Sequence, residues 1–76
     1  MNWREHIVSV PEIAHGKPCV SGTRVLVSVV LAELAAGESW ESVCRGYGIT
    51  REDIAAVLAF ASEMSRKEMV HLPEAG

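Results

Sequence analysis

Three features of the sequence predict a mainly α fold. An apolar run from Val25 to Leu34 is broken only by Ser28 and Glu33 and stops at Gly37. A short amphipathic stretch, Trp40 to Tyr47, stops at Gly48, and after Thr50 a third stretch has apolar residues stepping by three and four. Ahead of these, residues 7–26 mix strand formers with Gly and Pro, which predicts a short N-terminal β-ribbon. The expected architecture is a three-helix, helix-turn-helix-like (winged-helix/homeodomain-like) bundle behind that ribbon. One domain covers 1–65, and a C-terminal tail covers 66–76.

In chain order, Trp3 to His6 is a lead-in of one helical turn. Ile7-Val8-Ser9-Val10 is a strand, stopped by Pro11 with its missing N–H and fixed φ. Gly16, Pro18 and Gly22 equip the next segment for tight reversals. Cys19-Val20 and Arg24-Val25-Leu26 keep strand character on either side of a Ser21-Gly22 turn. An isolated two-stranded ribbon is barely stable, so this one must lie on the helices or pair with a second copy.

The first helix, Val27 to Ala36, is apolar enough to be a central helix buried on most sides, with Gly37 as its left-handed cap. Ser39 caps the second helix. Thr50 caps the third, which starts at Arg51. Asp53 stands in capping-box position, and Glu52 beside it meets the positive end of the helix dipole. Ile54, Val57, Leu58, Ala61 and Met64 form the inward face of this helix. From Ser65 the period is lost and a frayed end leads into the tail.

A chain of 76 residues buries only about 60% of its unfolded surface, so a partner is expected, first of all a second copy. Two cysteines are too few for a disulfide framework, and no charged-then-apolar leader opens the chain, which makes the cytoplasm the expected location. The longest apolar run falls well short of the roughly 20 residues of a membrane span. A net charge of −3 argues against strong non-specific binding of nucleic acid, which depends on Lys and Arg neutralising phosphates.

The segment Trp40 to Ala59 fits two helices joined by a tight turn at Gly48. Val43 and Tyr47 would face inward, Ile49 would plug the turn, and Cys44 would lie at the closest approach. In a DNA-binding version the second helix offers its first residues to base edges, here Thr50, Arg51, Glu52, Ala55 and Ala56. Arg51 alone can make the bidentate guanine contact, while Glu52 and Asp53 repel phosphates. Arg45, Thr50 and Arg51 are therefore the candidate nucleic-acid-binding residues of a poor reading surface.

His6, His15, His71, Cys19 and Cys44 form no CxxC or HxxxH pair, and no metal site is expected. The cysteines are read as small buried hydrophobes. No nucleophile stands beside a base, so neither catalysis nor a cofactor is expected. Gly16, Lys17 and Pro18, with Gly22, Thr23 and Arg24, lack P-loop spacing and are read as a structural motif. Thr23 hydrogen-bonds the turn, and Arg24 anchors a carboxylate such as Glu12 or one on a helix. Arg45, Arg51, Arg66 and Lys67 are a solvated fringe. At the tail, Arg66 and Lys67 precede Met69, Val70 and Leu72, apolar residues with no period to bury them, and these five are the candidate partner-binding residues.

The order of these elements resembles the domain-of-unknown-function family 433. The resemblance covers about residues 7 to 64. It rests on Ile7 and Pro11, the GKPxxxGTR core, Leu34-Ala35-Ala36-Gly37, then Tyr47, Thr50, Glu52-Asp53-Ile54 and Ala59-Phe60-Ala61. Where many relatives have a Tyr-Pro-x-Leu-Thr link, this chain has the shorter Tyr47-Gly48-Ile49-Thr50. The resemblance implies a small prokaryotic domain of the kind often taken as a type II antitoxin, encoded beside a PIN-like nuclease toxin. Such a protein would bind and neutralise its toxin and repress its own operator as a homodimer. A stand-alone helix-turn-helix transcriptional regulator is the alternative.

Overall fold

Ile7–Ser9 (β1) and Pro18–Val20 (β2) pair antiparallel in the computed structural model, which describes residues 2–67 and Leu72. Ile7 stands opposite Val20, Val8 opposite Cys19 and Ser9 opposite Pro18. The segment Arg24 to Leu26, expected to be strand-like, adds only an isolated bridge between Leu26 and Cys19. Thr23 explains why. Its Oγ1 donates to the Val20 carbonyl at 2.7 Å and accepts from the Val25 N–H at 3.0 Å, so the chain doubles back too tightly for a second ladder. The expected role of Thr23 in the turn is thus observed. The β1–β2 connection passes through a 3-10 turn, Ala14–Gly16, in which all three residues have positive φ (51°, 57° and 81°).

Three α-helices follow in the described residues: Val27–Ala35 (α1), Trp40–Tyr47 (α2) and Arg51–Lys67 (α3). α1 ends as Gly37 suggests. With φ at 93°, Gly37 donates to the Leu34 carbonyl at 3.0 Å, and Glu38 donates to that of Glu33 at 3.1 Å. Ser39 caps α2 by accepting from the Ser42 N–H at 3.0 Å, and Gly48, at φ 68°, closes it. The capping box of α3 forms in both directions: Asp53 N–H donates to Thr50 Oγ1 at 3.1 Å, and Thr50 N–H to Asp53 Oδ2 at 3.0 Å. The resulting architecture is mainly α with a short N-terminal β-ribbon.

Val20, Val30, Val43, Ile54 and Val57 are fully enclosed, and Ile7, Val27, Ile49 and Ala56 complete the core. Three expectations about packing are corrected. α1 is not buried on most sides. Only Val27 and Val30 are buried, and Ala32 and Ala35 face outward, because its neighbours cover a single stripe of this nine-residue helix. Tyr47 does not face inward: it is 37% exposed on the last turn before Gly48. On α3, Leu58 is exposed while Ala56 is buried and Phe60 packs against the core, so the inward face is rotated from the expected one.

The N-terminal 3-10 turn Trp3–Glu5 accounts for that rotation, since it lies along α3 and covers the Phe60 side. The Trp3 and Phe60 rings meet edge to face, 5.0 Å between centroids and 73° between planes. Arg4 Nη2 reaches Glu63 Oε2 at 3.2 Å, and His6 Nδ1 lies 2.9 Å from Asp53 Oδ1. Both cysteines are free thiols. Cys19 is buried, as its reading as a small buried hydrophobe expects, whereas Cys44 is only half-buried, packed against the edge of the core.

Candidate functional site

Three surfaces bring the singled-out residues together. The first is the corner between α2 and α3. Arg45 is exposed in the last turn of α2, 3.7 Å from Glu41 Oε1 one helical turn earlier. The Arg51 guanidinium stacks over the Trp40 ring, 5.0 Å from its centroid. Thr50 Oγ1 is engaged in the capping box. Ala56, expected to meet base edges, is fully buried within the core cluster, so it has no access to a ligand. The two cations therefore share the corner with exposed Glu41 and Glu52.

Asp53 adds a further negative charge there. Burial works against its ionised form. The Thr50 backbone N–H, the His6 imidazole and the Thr50 hydroxyl outweigh that effect, and its pKa is held below the ordinary carboxylate value. A corner in which three carboxylates outnumber two cations has little to attract a phosphate backbone.

The second surface is the C-terminal end of α3. Arg66 and Lys67 occupy the last helical turn, where cations complement the helix dipole. Glu63 Oε2 is shared by Arg4 at 3.2 Å and Lys67 at 4.0 Å. A groove of about 310 Å³ between the N-terminal turn and α3 is lined by Trp3, Arg4, Ser62, Glu63 and Arg66. Sequence reasoning does not find Arg4. Its partner lies 59 positions away, and no local pattern links the two. Leu72 is 74% exposed, while Met69 and Val70 lie outside the described residues.

The third surface is the outer face of the ribbon. Val8, Val10, Ile13, Val25 and Tyr47, with Gly22, Thr23 and Arg24, line an open groove of about 610 Å³. Arg24 was expected to anchor a carboxylate. It is exposed and has no ion pair among the described residues, because the Gly22-Thr23 turn presents it to the groove and to solvent. Glu12 is likewise exposed and unpaired among them. Gly16 and Gly22 take positive φ, as a structural role for the motif requires, and Lys17 and Pro18 line a smaller apolar groove with Val27, Leu31 and Phe60. Among the described residues no three His, Cys, Asp or Glu side chains are placed to hold a metal ion, and no helix is long and apolar enough to cross a membrane.

Residues 7–61 match the family described as Protein of unknown function (DUF433). The chain belongs to the DUF433 family. No curated protein and no solved structure matches it. The DUF433 match takes in the ribbon, α1, α2 and α3 as far as Ala61. It thus contains every residue lining the outer ribbon groove, whereas Trp3, Arg4, Glu63 and Arg66 of the second surface fall outside it.

Proposed function

We propose that this DUF433 chain is a binding module of the antitoxin type. It works as a cytoplasmic homodimer that covers and neutralises a PIN-like nuclease toxin. Arg66, Lys67 and the residues that follow, Met69, Val70 and Leu72, make the toxin contact. The observation that carries this reading is that Leu72, 74% exposed, follows in sequence the cationic end of α3, where Arg4 and Lys67 both reach Glu63 and Arg66 lines the same groove. An exposed large apolar side chain that follows a charged helix end in sequence supplies the chemistry of a protein contact.

Coexpression with the product of the neighbouring gene tests it. The expected result is copurification that is lost on deleting residues 68–76 and weakened by Arg66→Glu with Lys67→Glu. Purification of the intact chain free of that product would overturn it.

The alternative, a stand-alone transcriptional regulator, draws on Arg45 and Arg51, which flank the Gly48 turn. It requires retardation of the chain's own upstream DNA at low salt, with affinity falling steeply as salt is added. In the antitoxin reading, operator binding is a weak secondary activity with a shallow salt slope, because Glu41 and Glu52 offset the two arginines.

A further inference from the structure

The outer groove of the ribbon brings one arginine together with a band of apolar side chains, and an exposed glutamate lies on the segment between two of them. None of these is used by the toxin contact proposed above. Val8, Val10, Ile13 and Val25 are half-buried and Tyr47 is exposed, and together they line an open groove of about 610 Å³ with Arg24 at its edge. Glu12 is exposed on the short segment between Val10 and Ile13, two of the lining residues. Arg24 lines the groove, Glu12 lies in sequence between two residues that line it, and within a single copy neither has an ion-pair partner among the described residues. The ribbon has only two strands, and the far edge of β1 has no strand beside it among those residues. The helices cover the inner face of the ribbon through Ile7 and Val20, and the apolar lining of the outer groove has no such cover among the described residues.

A two-fold axis meets all of these requirements. In an isologous interface the same patch faces itself, so residue i of one copy meets residue j of the other, and j meets i. A patch with one cation and one anion is its own complement, and a single rotation makes two ion pairs. We infer that the outer face of the ribbon is the interface between two copies of this chain. Arg24 of each copy pairs with Glu12 of the other, over apolar contact between the two grooves. The inference rests on the homodimer in the reading above and supplies its interface.

Light scattering on the purified full chain tests this without toxin or DNA. The wild type is expected to be a dimer at 100 μM or below. Arg24→Glu leaves two carboxylates on the face and Glu12→Arg leaves two cations, so each variant alone is expected to dissociate at least tenfold more readily. Both positions are exposed, and unchanged circular dichroism will confirm that the fold is kept. Mixed in equal amounts, the two variants are expected to form a heterodimer, because each supplies the charge that the other lacks. A monomeric wild type, single variants as dimeric as the wild type, or a mixture that fails to associate would each overturn the interface. Copurification with the nuclease is a separate measurement, so loss of the interface and loss of the toxin reading are told apart.

Discussion

His6 Nδ1 lies 2.9 Å from Asp53 Oδ1, joining the N-terminal turn to the first turn of α3 across 47 positions of sequence. The other oxygen of Asp53, Oδ2, accepts the Thr50 N–H at 3.0 Å, so one side chain caps α3 and also holds the segment that runs along it. Asp53→Ala removes both. Loss of a helix cap costs about 1 kcal/mol. Loss of a partly exposed charge-assisted hydrogen bond adds less than about 1 kcal/mol more. Urea denaturation should show Asp53→Ala destabilised by about 1–2 kcal/mol, and His6→Ala by the smaller share.

The same carboxylate makes stability depend on acidity. Its folded pKa lies below the ordinary value of 3.8, so the unfolded chain takes up the proton more readily than the folded one. The stabilisation is therefore complete above that value and is lost as the pH falls through the folded pKa. Thermal midpoints measured downward from pH 6 should hold until the pH nears 4 and then fall. In Asp53→Asn the fall should be shallower. An equally steep fall in that variant would assign the acid sensitivity to other carboxylates.

The features legible in the sequence are those whose cause is local. Thr50 and Asp53 are three residues apart, and Gly37 and Gly48 closely follow the helices they close, so these caps can be read from spacing alone. Which side of α3 faces inward is not legible in the same way, because that depends on Trp3 and Arg4, distant in sequence and free of any periodic signal. The partner of β1 depends on how far Thr23 turns the chain back, which strand propensity does not encode. Of the candidate site, exposed Arg45 and Arg51 and the helix-end Arg66 and Lys67 are found by type and position. Arg4 escapes such reasoning, and Arg24 lacks the partner within its own chain that its residue type suggests.

Two glycines separated only by Tyr47 should respond to alanine in opposite directions. Gly46 lies inside α2, and an added methyl group would meet only open space, so Gly46→Ala gains helix propensity and should stabilise by about 0.5–1 kcal/mol. Gly48 has equally open space but φ at 68°, so Gly48→Ala meets backbone strain and should cost about 1–2 kcal/mol. Denaturation midpoints on either side of the wild type are the expected result. Equal shifts in the two variants would contradict the left-handed stop between α2 and α3.

The rotation of α3 attributed to the N-terminal turn can be checked at the Trp3–Phe60 contact. Edge-to-face aromatic pairs contribute about 0.5–1.5 kcal/mol beyond the area they bury. Both rings are only half-buried, so Trp3→Ala and Phe60→Leu should each leave a folded, cooperative domain. If the rings meet as described, the double variant will be less destabilised than the sum of the singles by about 0.5–1.5 kcal/mol. Additive effects would mean that the turn does not rest on Phe60. The buried arc of α3 would then lie where its spacing alone suggested, centred on Ile54, Leu58 and Ala61, and hydrogen exchange along the helix would show Leu58 protected and Ala56 open.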